Sequence, residues 1–369
     1  MNQTLEAVVA NPLRKTIITM NKMTRLWAAA LGVLAVSGIS LLAACQSDAA
    51  TSSTGQLSKT DTTEKKDSGQ VAAAATILDT ALYDAKMKWI TNGDSSGKWP
   101  VKSDYPRAGA ILPFKRILAY YGNLYSKQMG ILGEYPEQQM IEKLQAEIKR
   151  WQAADTTVEV IPALHYIAVT AQGSPGAGGK YRLRMPFKEI DKVLVMAQKI
   201  NALVFIDIQV GLGSVQEEVP QFEKYFKMPN VHFGVDPEFS MKTGAKPGSV
   251  IGTFDAADIN FVTNYLAKLV KENNLPPKIL VVHRFTQGMV TNYKNIKLQP
   301  EVQIVMDMDG WGMQARKIST YKSFIYREPV QFTGFKLFYK NDFREPGSKI
   351  MTPEEVLKLK PQPVYIQYQ

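Results

Sequence analysis

The chain has 369 residues, a formal net charge of +10, 45% hydrophobic residues and 21% charged residues; it carries enough apolar material for a sizeable core and is too apolar to be disordered throughout. It holds a single cysteine, which excludes a disulfide within the chain. The basic balance suits anionic headgroups or wall polymers. With no nucleic-acid-binding motif and no concentrated basic helix, nucleic acid is not expected as a partner.

The N-terminal region reads as a secretory signal. Lys22 and Arg25 precede a short apolar run over 26–39, and small residues follow in Leu41-Leu42-Ala43-Ala44-Cys45. The run is short for a membrane span of ~20 residues. Met20 or Met23 would give a more compact signal than Met1. Leu-Leu-Ala-Ala-Cys resembles the lipobox of bacterial lipoproteins. The resemblance implies cleavage before Cys45, lipid on Cys45, and anchoring in the cell envelope on the extracytoplasmic face of a bacterial membrane. Arg14, Lys15, Lys22 and Arg25 against Glu6 belong to the removed part, which leaves about +7 on the remainder. Residues 46–70 are rich in Ser, Thr, Asp, Lys and Gly and hold no aromatic residue, so they cannot bury enough apolar area to offset ordering entropy. The expected organisation is a signal over 1–44, a lipidated cysteine and flexible tether over 45–70, and a folded domain over 71–369.

In the domain, apolar β-branched or aromatic runs at 111–121, 158–170, 202–209, 231–236, 278–284, 302–309, 331–339 and 363–368 read as eight strands. Helical patterns lie between them. Ser214 to Glu217 and Thr352 to Glu355 read as capping boxes; Asp255 precedes an amphipathic run over 256–273, which Pro276-Pro277 terminates. The pattern over 187–200 puts Ile190, Val193, Leu194 and Ala197 on one face. Eight strands alternating with helices predict an α/β fold, a (β/α)8 (TIM-type) barrel. An open doubly wound sheet is the rival, but no Gly-rich dinucleotide fingerprint follows the first strand. No helix follows the eighth strand. The segment 72–90, with Ile77, Leu78, Ala81, Leu82 and Ala85, is expected to fill that gap beside strands one and eight and to cover Val364 and Ile366.

The C-terminal strand ends, which face the mouth of such a barrel, are unusually polar. They carry Tyr121 and Asn123, Asp207 and Gln209, Asp236 and Glu238, His283 and Arg284, Asp307, Asp309 and Trp311, Lys336, and Gln367. Alternation along a strand puts Asp207 with Gln209, Asp236 with Glu238, and Asp307 with Asp309 on shared faces. Charged groups among Val, Ile and Phe are costly unless paired or used. They can close the barrel top as a structural network or line a ligand site, and their convergence on one mouth favours the site. Paired carboxylates with aromatic platforms, here Tyr120, Tyr121, Tyr125, Phe239 and Trp311, suit glycoside chemistry. His165, His232 and His283 lie on separate strands with no metal-binding spacing, so no metal centre and no cofactor are expected, although a carboxylate-held Mg²⁺ or Ca²⁺ is left open. Gly211-Leu-Gly213-Ser214 is a phosphate loop or a tight turn with a cap, and the turn is the commoner of the two.

The segments Asp236-Pro-Glu238-Phe239, His283-Arg284-Phe285-Thr286, Asp309-Gly-Trp311-Gly312, Gly334-Phe-Lys336 and Tyr365-Ile-Gln367 resemble those of a family of uncharacterised bacterial lipoproteins. That resemblance implies no activity. Locally, Asp236-Pro-Glu238 resembles the Asp-x-Glu pair of barrel-type muramidase glycoside hydrolases. By that resemblance Glu238 is the acid and Asp236 a supporting carboxylate, although this chain has Tyr121-Gly122-Asn123 where that family has an acid. The expectation is a lipid-anchored, glycoside-hydrolase-like protein acting on an envelope or environmental polysaccharide. Its catalytic candidates are Glu238, Asp236, Asp207 and Asp307. Its substrate-binding candidates are Tyr121, Asn123, Gln209, His283, Arg284, Asp309, Trp311, Lys336 and Gln367. The alternative is a non-catalytic surface protein that binds carbohydrate or another small polar ligand at the same mouth.

Overall fold

The computed structural model describes residues 77–369; the signal, Cys45 and the segment 46–70 lie outside the described residues. Eight parallel strands form a closed barrel in chain order: β1 (Lys115–Gly122), β2 (Glu159–Ala171), β3 (Leu203–Ile208), β4 (Val231–Val235), β5 (Lys278–Arg284), β6 (Val302–Met308), β7 (Phe332–Leu337) and β8 (Tyr365–Tyr368). The ring closes where β8 pairs with β1, from Ile117↔Tyr365 to Tyr120↔Tyr368. These strands are the expected ones, and the (β/α)8 barrel stands. The largest difference in bounds is at β1. Residues 111–113 do not join the sheet, because the Gln303 side chain takes up their backbone: its Oε1 accepts from Ile111 N and Leu112 N, and its Nε2 donates to the Leu112 carbonyl at 2.6 Å.

The outer ring is made of α1 (Thr80–Ile90), α2 (Glu137–Ala154), α3 (Phe187–Gln198), α4 (Ala256–Glu272) and α5 (Gln314–Thr320), the last running on into a π-turn over Tyr321–Tyr326, together with shorter turns. Asp255 caps α4 in a reciprocal box with Asp258. Ser214 also caps a helix, but that helix stops after Glu218, ahead of Pro220. Gly211 has φ +59°, and an added Cβ would stand 2.4 Å from the Lys180 carbonyl, so this glycine segment is a tight turn held against Lys180.

Strand alternation splits the apolar residues into two cores. The outward residues pack under the helices, as do Leu164, Tyr166, Val204, Ile206, Val282 and Ile304. The inward residues Ile117, Ala163, Phe205, Ile279, Val281, Val305 and Phe332 fill the lower interior of the barrel. Helix α1 belongs to this second core. It turns Tyr83, Met87 and Ile90 onto the lower end of the barrel, and the Ile90 carbonyl accepts from Gln362 N at 2.7 Å. Its location beside the starts of β1 and β8 agrees with expectation, and Val364 packs in its cluster, but its role differs at Ile366: it closes the floor and does not cover the outer seam. That seam is covered by α2, whose Trp151 Nε1 donates to the Tyr368 hydroxyl at 3.0 Å, and by Met351, Val356 and Leu357 from the segment before β8. Val364 and Ile366 are both buried.

Because α1 is the floor of the inner core, it should carry global stability. Met87→Ala should cost ~2–5 kcal/mol in urea denaturation. A chain lacking residues 71–108 should melt well below the intact domain or fail to accumulate in soluble form. Unchanged melting of that truncation would show that the floor is dispensable.

Candidate active site at the barrel mouth

Above the apolar floor the interior becomes polar, because the inward positions nearest the strand ends are His165, Asp207, His283, Asp307, Lys336 and Gln367, all fully or almost fully buried. Gly334 makes room for them. An added Cβ there would stand 2.4 Å from Asp307 Oδ1. His165 Nδ1 lies 2.5 Å from the Tyr365 hydroxyl, which also accepts from Gln367 Nε2 at 3.0 Å. The Tyr121 hydroxyl donates to Asp207 Oδ2 at 2.8 Å. His283 Nδ1 faces Asp307 Oδ2 at 3.4 Å and Asp309 Oδ2 at 3.3 Å, and Lys336 Nζ pairs with Asp309 Oδ1 at 2.9 Å while lying 3.9 Å from the centre of the Tyr121 ring.

The charges divide according to these neighbours. Burial pushes Asp207 up, but the charge on His283 and the ring of His165 outweigh it, and Asp207 is held well below the usual carboxylate range. Burial likewise acts against Asp309, and Lys336 with His283 outweighs it, so Asp309 is lowered. Burial disfavours a charged His283, yet the surrounding aspartates, Asp207 foremost, raise it well above the ordinary histidine value. Burial keeps His165 neutral, down to about 4. Asp236 is pushed up to about 7 by burial, with Asp309 and Asp207 adding to it. Glu238 is raised well above its ordinary value by burial and then by Asp236 and Asp309. Among the described residues, no hydrogen bond or ion pair engages the Glu238 carboxyl group, which is only partly enclosed.

The expected site residues therefore sort by depth. Asp207, Asp307, His283 and Gln367 are brought together, but as an enclosed layer with no surface left for a polysaccharide. Tyr121 and Lys336 roof that layer. Asp236, Glu238, Asp309 and Trp311 stand at the mouth, where Arg344 lies over the Trp311 ring at 5.5 Å. Gln209 is a brace, accepting from Ala171 N at 3.0 Å and donating to Asp236 Oδ2 at 3.2 Å. Asn123 is another, tying Ile167 O and Tyr125 N. Arg284 is turned the other way. Its neighbour His283 points in, so alternation sends Arg284 outside the barrel, where it pairs with Glu328 and binds the carbonyls of Thr286, Gln287 and Phe324. It is not a mouth residue. Tyr120 also faces outward, 3.0 Å from the Tyr339 hydroxyl, and is no sugar platform. Two members of the inner layer, His165 and Tyr365, were not among the expected site residues. The available signal was a histidine inside the wholly apolar run Ala163-Leu-His-Tyr-Ile-Ala168, a position it can hold only with partners.

No protein-family model matches the chain, and no curated protein does. Solved structures with a similar fold include the cellulase Cel5C_n, at 13% identity and a TM-score of 0.36 over 60% of this chain and 65% of that one. They also include Thermotoga maritima Cel5A in complex with cellobiose, at 11% identity and a TM-score of 0.37 over 69% and 88%. A third is the Escherichia coli 3-keto-D-glucoside 4-epimerase YcjR, at 11% identity and a TM-score of 0.28 over 69% and 92%. The chain spans 65% of the length of the first of these.

The enclosed layer depends on its single lysine. Lys336→Met takes away the nearer of Asp309's two cationic partners and leaves only His283 Nδ1 at 3.3 Å, and breaking such a buried pair from one side should cost ~3–5 kcal/mol in chemical denaturation. An exposed pair such as Lys268–Glu272, removed by Lys268→Met, should cost under ~1 kcal/mol in the same assay.

Proposed function

We propose that the protein is a carboxylate-dependent glycoside hydrolase acting on a polysaccharide at the barrel mouth. One observation carries the reading. Glu238 and Asp309 stand at the same opening with environments that push them in opposite directions: Glu238 towards the acid form and Asp309, paired with Lys336 at 2.9 Å, towards the carboxylate. Opposed carboxyl groups of this kind are what acid and base roles require. Glu238 is the general acid. It passes its proton to the glycosidic oxygen as the carbon–oxygen bond breaks, and water completes the hydrolysis. Asp309 is the assisting carboxylate, in place of the enclosed Asp207 and Asp307. Asp236, braced by Gln209 and bound to Glu238 N at 3.0 Å, positions the acid-bearing loop and helps keep Glu238 protonated. Trp311 and Phe239, both partly exposed, supply apolar faces for sugar rings.

Glu238→Gln should lower the cleavage rate of unactivated β-glucan, mannan or muropeptide substrates by ~10²–10⁴-fold. It should slow a dinitrophenyl glycoside far less, because that leaving group needs no proton. Equal losses on both substrates would remove Glu238 from the acid role. Activity should fall as pH rises through the elevated Glu238 value, since the acid is then spent, and should also fall at low pH as Asp309 takes up a proton. Retained glycan binding with no cleavage of any substrate by the unaltered protein would instead support the non-catalytic binding reading.

We also infer that Cys45 carries lipid and fixes the protein to the extracytoplasmic face of a bacterial membrane. The reading is supported by the apolar run, the small residues before the cut and the uniqueness of the cysteine. Cys45→Ser should abolish labelling by a fatty-acid analogue and release the protein from the membrane fraction; persistent labelling would overturn the assignment.

A further inference from the structure

Three side-chain atoms in the enclosed layer open onto one point and bond to nothing. They are His165 Nε2, Asp207 Oδ1 and His283 Nε2, each on a fully buried residue and none with a hydrogen-bond partner. Asp207 Oδ1 lies 3.6 Å from His165 Nε2 and 3.7 Å from His283 Nε2, too far for hydrogen bonds, and all three atoms fall within 4.8 Å of one another. An ion bound tetrahedrally at ~2.0–2.1 Å spaces its ligands by about 3.3–3.4 Å, so the two Asp207–histidine separations need little change, while the imidazole nitrogens, within 4.8 Å of each other, must close by up to about 1.4 Å. Buried polar atoms rarely go unpaired, and here three of them share one gap.

The gap is kept open by the backbone opposite. Gly234 is the inward residue of β4 beside this group, between Asp207 on β3 and Val281 on β5. A Cβ at Gly234 would stand 2.4 Å from His165 Nε2 and 2.6 Å from Asp207 Oδ1. Any side chain at 234 would therefore collide with both donor atoms, and its absence leaves them unobstructed on this side.

The far side of each imidazole is arranged as metal-bound histidines are. His165 Nδ1 lies 2.5 Å from the Tyr365 hydroxyl and 3.1 Å from Gln367 Nε2; in the tautomer whose Nδ1–H donates to that hydroxyl, Nε2 presents its lone pair. His283 Nδ1 lies 3.4 Å from Asp307 and 3.3 Å from Asp309 without a formed hydrogen bond, so carboxylates stand on the side of the ring where a metal-bound imidazole has its outer partner. The second oxygen of Asp207 is fixed by Tyr121.

We propose that His165, Asp207 and His283 bind a divalent transition-metal ion inside the barrel, beneath the mouth, with Gly234 providing its space. Two imidazoles and one carboxylate suit zinc, iron(II) or cobalt(II) and suit calcium or magnesium poorly. The ion would tie β2, β3 and β5 together. The assignment does not depend on the glycosidase reading, and its test is read without any substrate.

The full chain, stripped with a chelator, is titrated with CoCl₂ and separately with ZnCl₂, and the metal retained after gel filtration is measured. One equivalent per chain is expected, with visible cobalt d–d absorption and a melting temperature that rises with ion concentration. His165→Gln should weaken uptake by more than the ~10–100-fold that loss of an outer partner costs. Gly234→Ala should abolish uptake, and His232→Asn, which alters the buried histidine outside the group, should leave it unchanged. A folded chain that retains no cobalt or zinc overturns the proposal, as does uptake that survives His165→Gln. If that variant does not fold, X-ray absorption of the cobalt-loaded chain decides. Two imidazoles in the first shell at ~2.0–2.1 Å support the site, and one or none overturns it.

Discussion

The interior of this barrel is organised around a buried charge cluster in which Lys336, Asp309, His283 and Asp207 follow one another within contact distance. Charges taken out of water are expensive, and their mutual attraction offsets the cost only when each group is held in place. The neighbouring structure serves that end. Tyr121 fixes Asp207 from above, Gly334 leaves room for Asp307, and the Tyr365–Gln367 pair holds His165. A slip of one residue in any of these strands would turn its polar side chain out under the helices and bring an aliphatic one in. The cluster and the strand register therefore specify each other.

The molecule separates two tasks along the barrel axis. The lower half is apolar, packed and closed by α1 and by the Gln303 bridge, and stability concentrates there. The upper half holds titratable groups whose charge depends on one another. Between them lies a sharp boundary, one inward side chain deep: Ala163 gives way to His165, Phe205 to Asp207, Val281 to His283 and Val305 to Asp307. The same step from apolar to ionisable recurs on four strands with a stagger, His165 standing beside Phe205 and His283 beside Asp307, and it is visible only once the strands are in register.

Much of this was legible in the sequence. The eight strands were, because runs such as Lys278–Arg284 and Val302–Met308 are continuous and apolar with polar ends, and the mouth carboxylates followed from those ends. Depth was not legible. Asp207 and Asp309 look alike in the chain, and only the tilt and stagger of neighbouring strands put the first inside and the second at the rim. The pairing of His165 with His283 was hidden for a related reason, since they sit more than a hundred residues apart on β2 and β5 and meet across the interior. Arg284 was misplaced by proximity to His283, where strict alternation would have sent it outside. The covering of the last strand was read only in part: Val364 packs with α1, but helix α2, which follows β1, reaches around to Tyr368.

Helix α1 sits at the end of the barrel where strands begin, whereas Glu238, Asp309 and Trp311 stand at the end where strands finish. The described chain thus enters its fold on the face opposite the opening. For any object joined to the protein through the residues before Ile77, whether a surface, a bead or a fused domain, the consequence is one of aim. The barrel would be presented with its floor towards the point of attachment and its opening towards the surroundings, so that long chains could reach the rim without first passing the support.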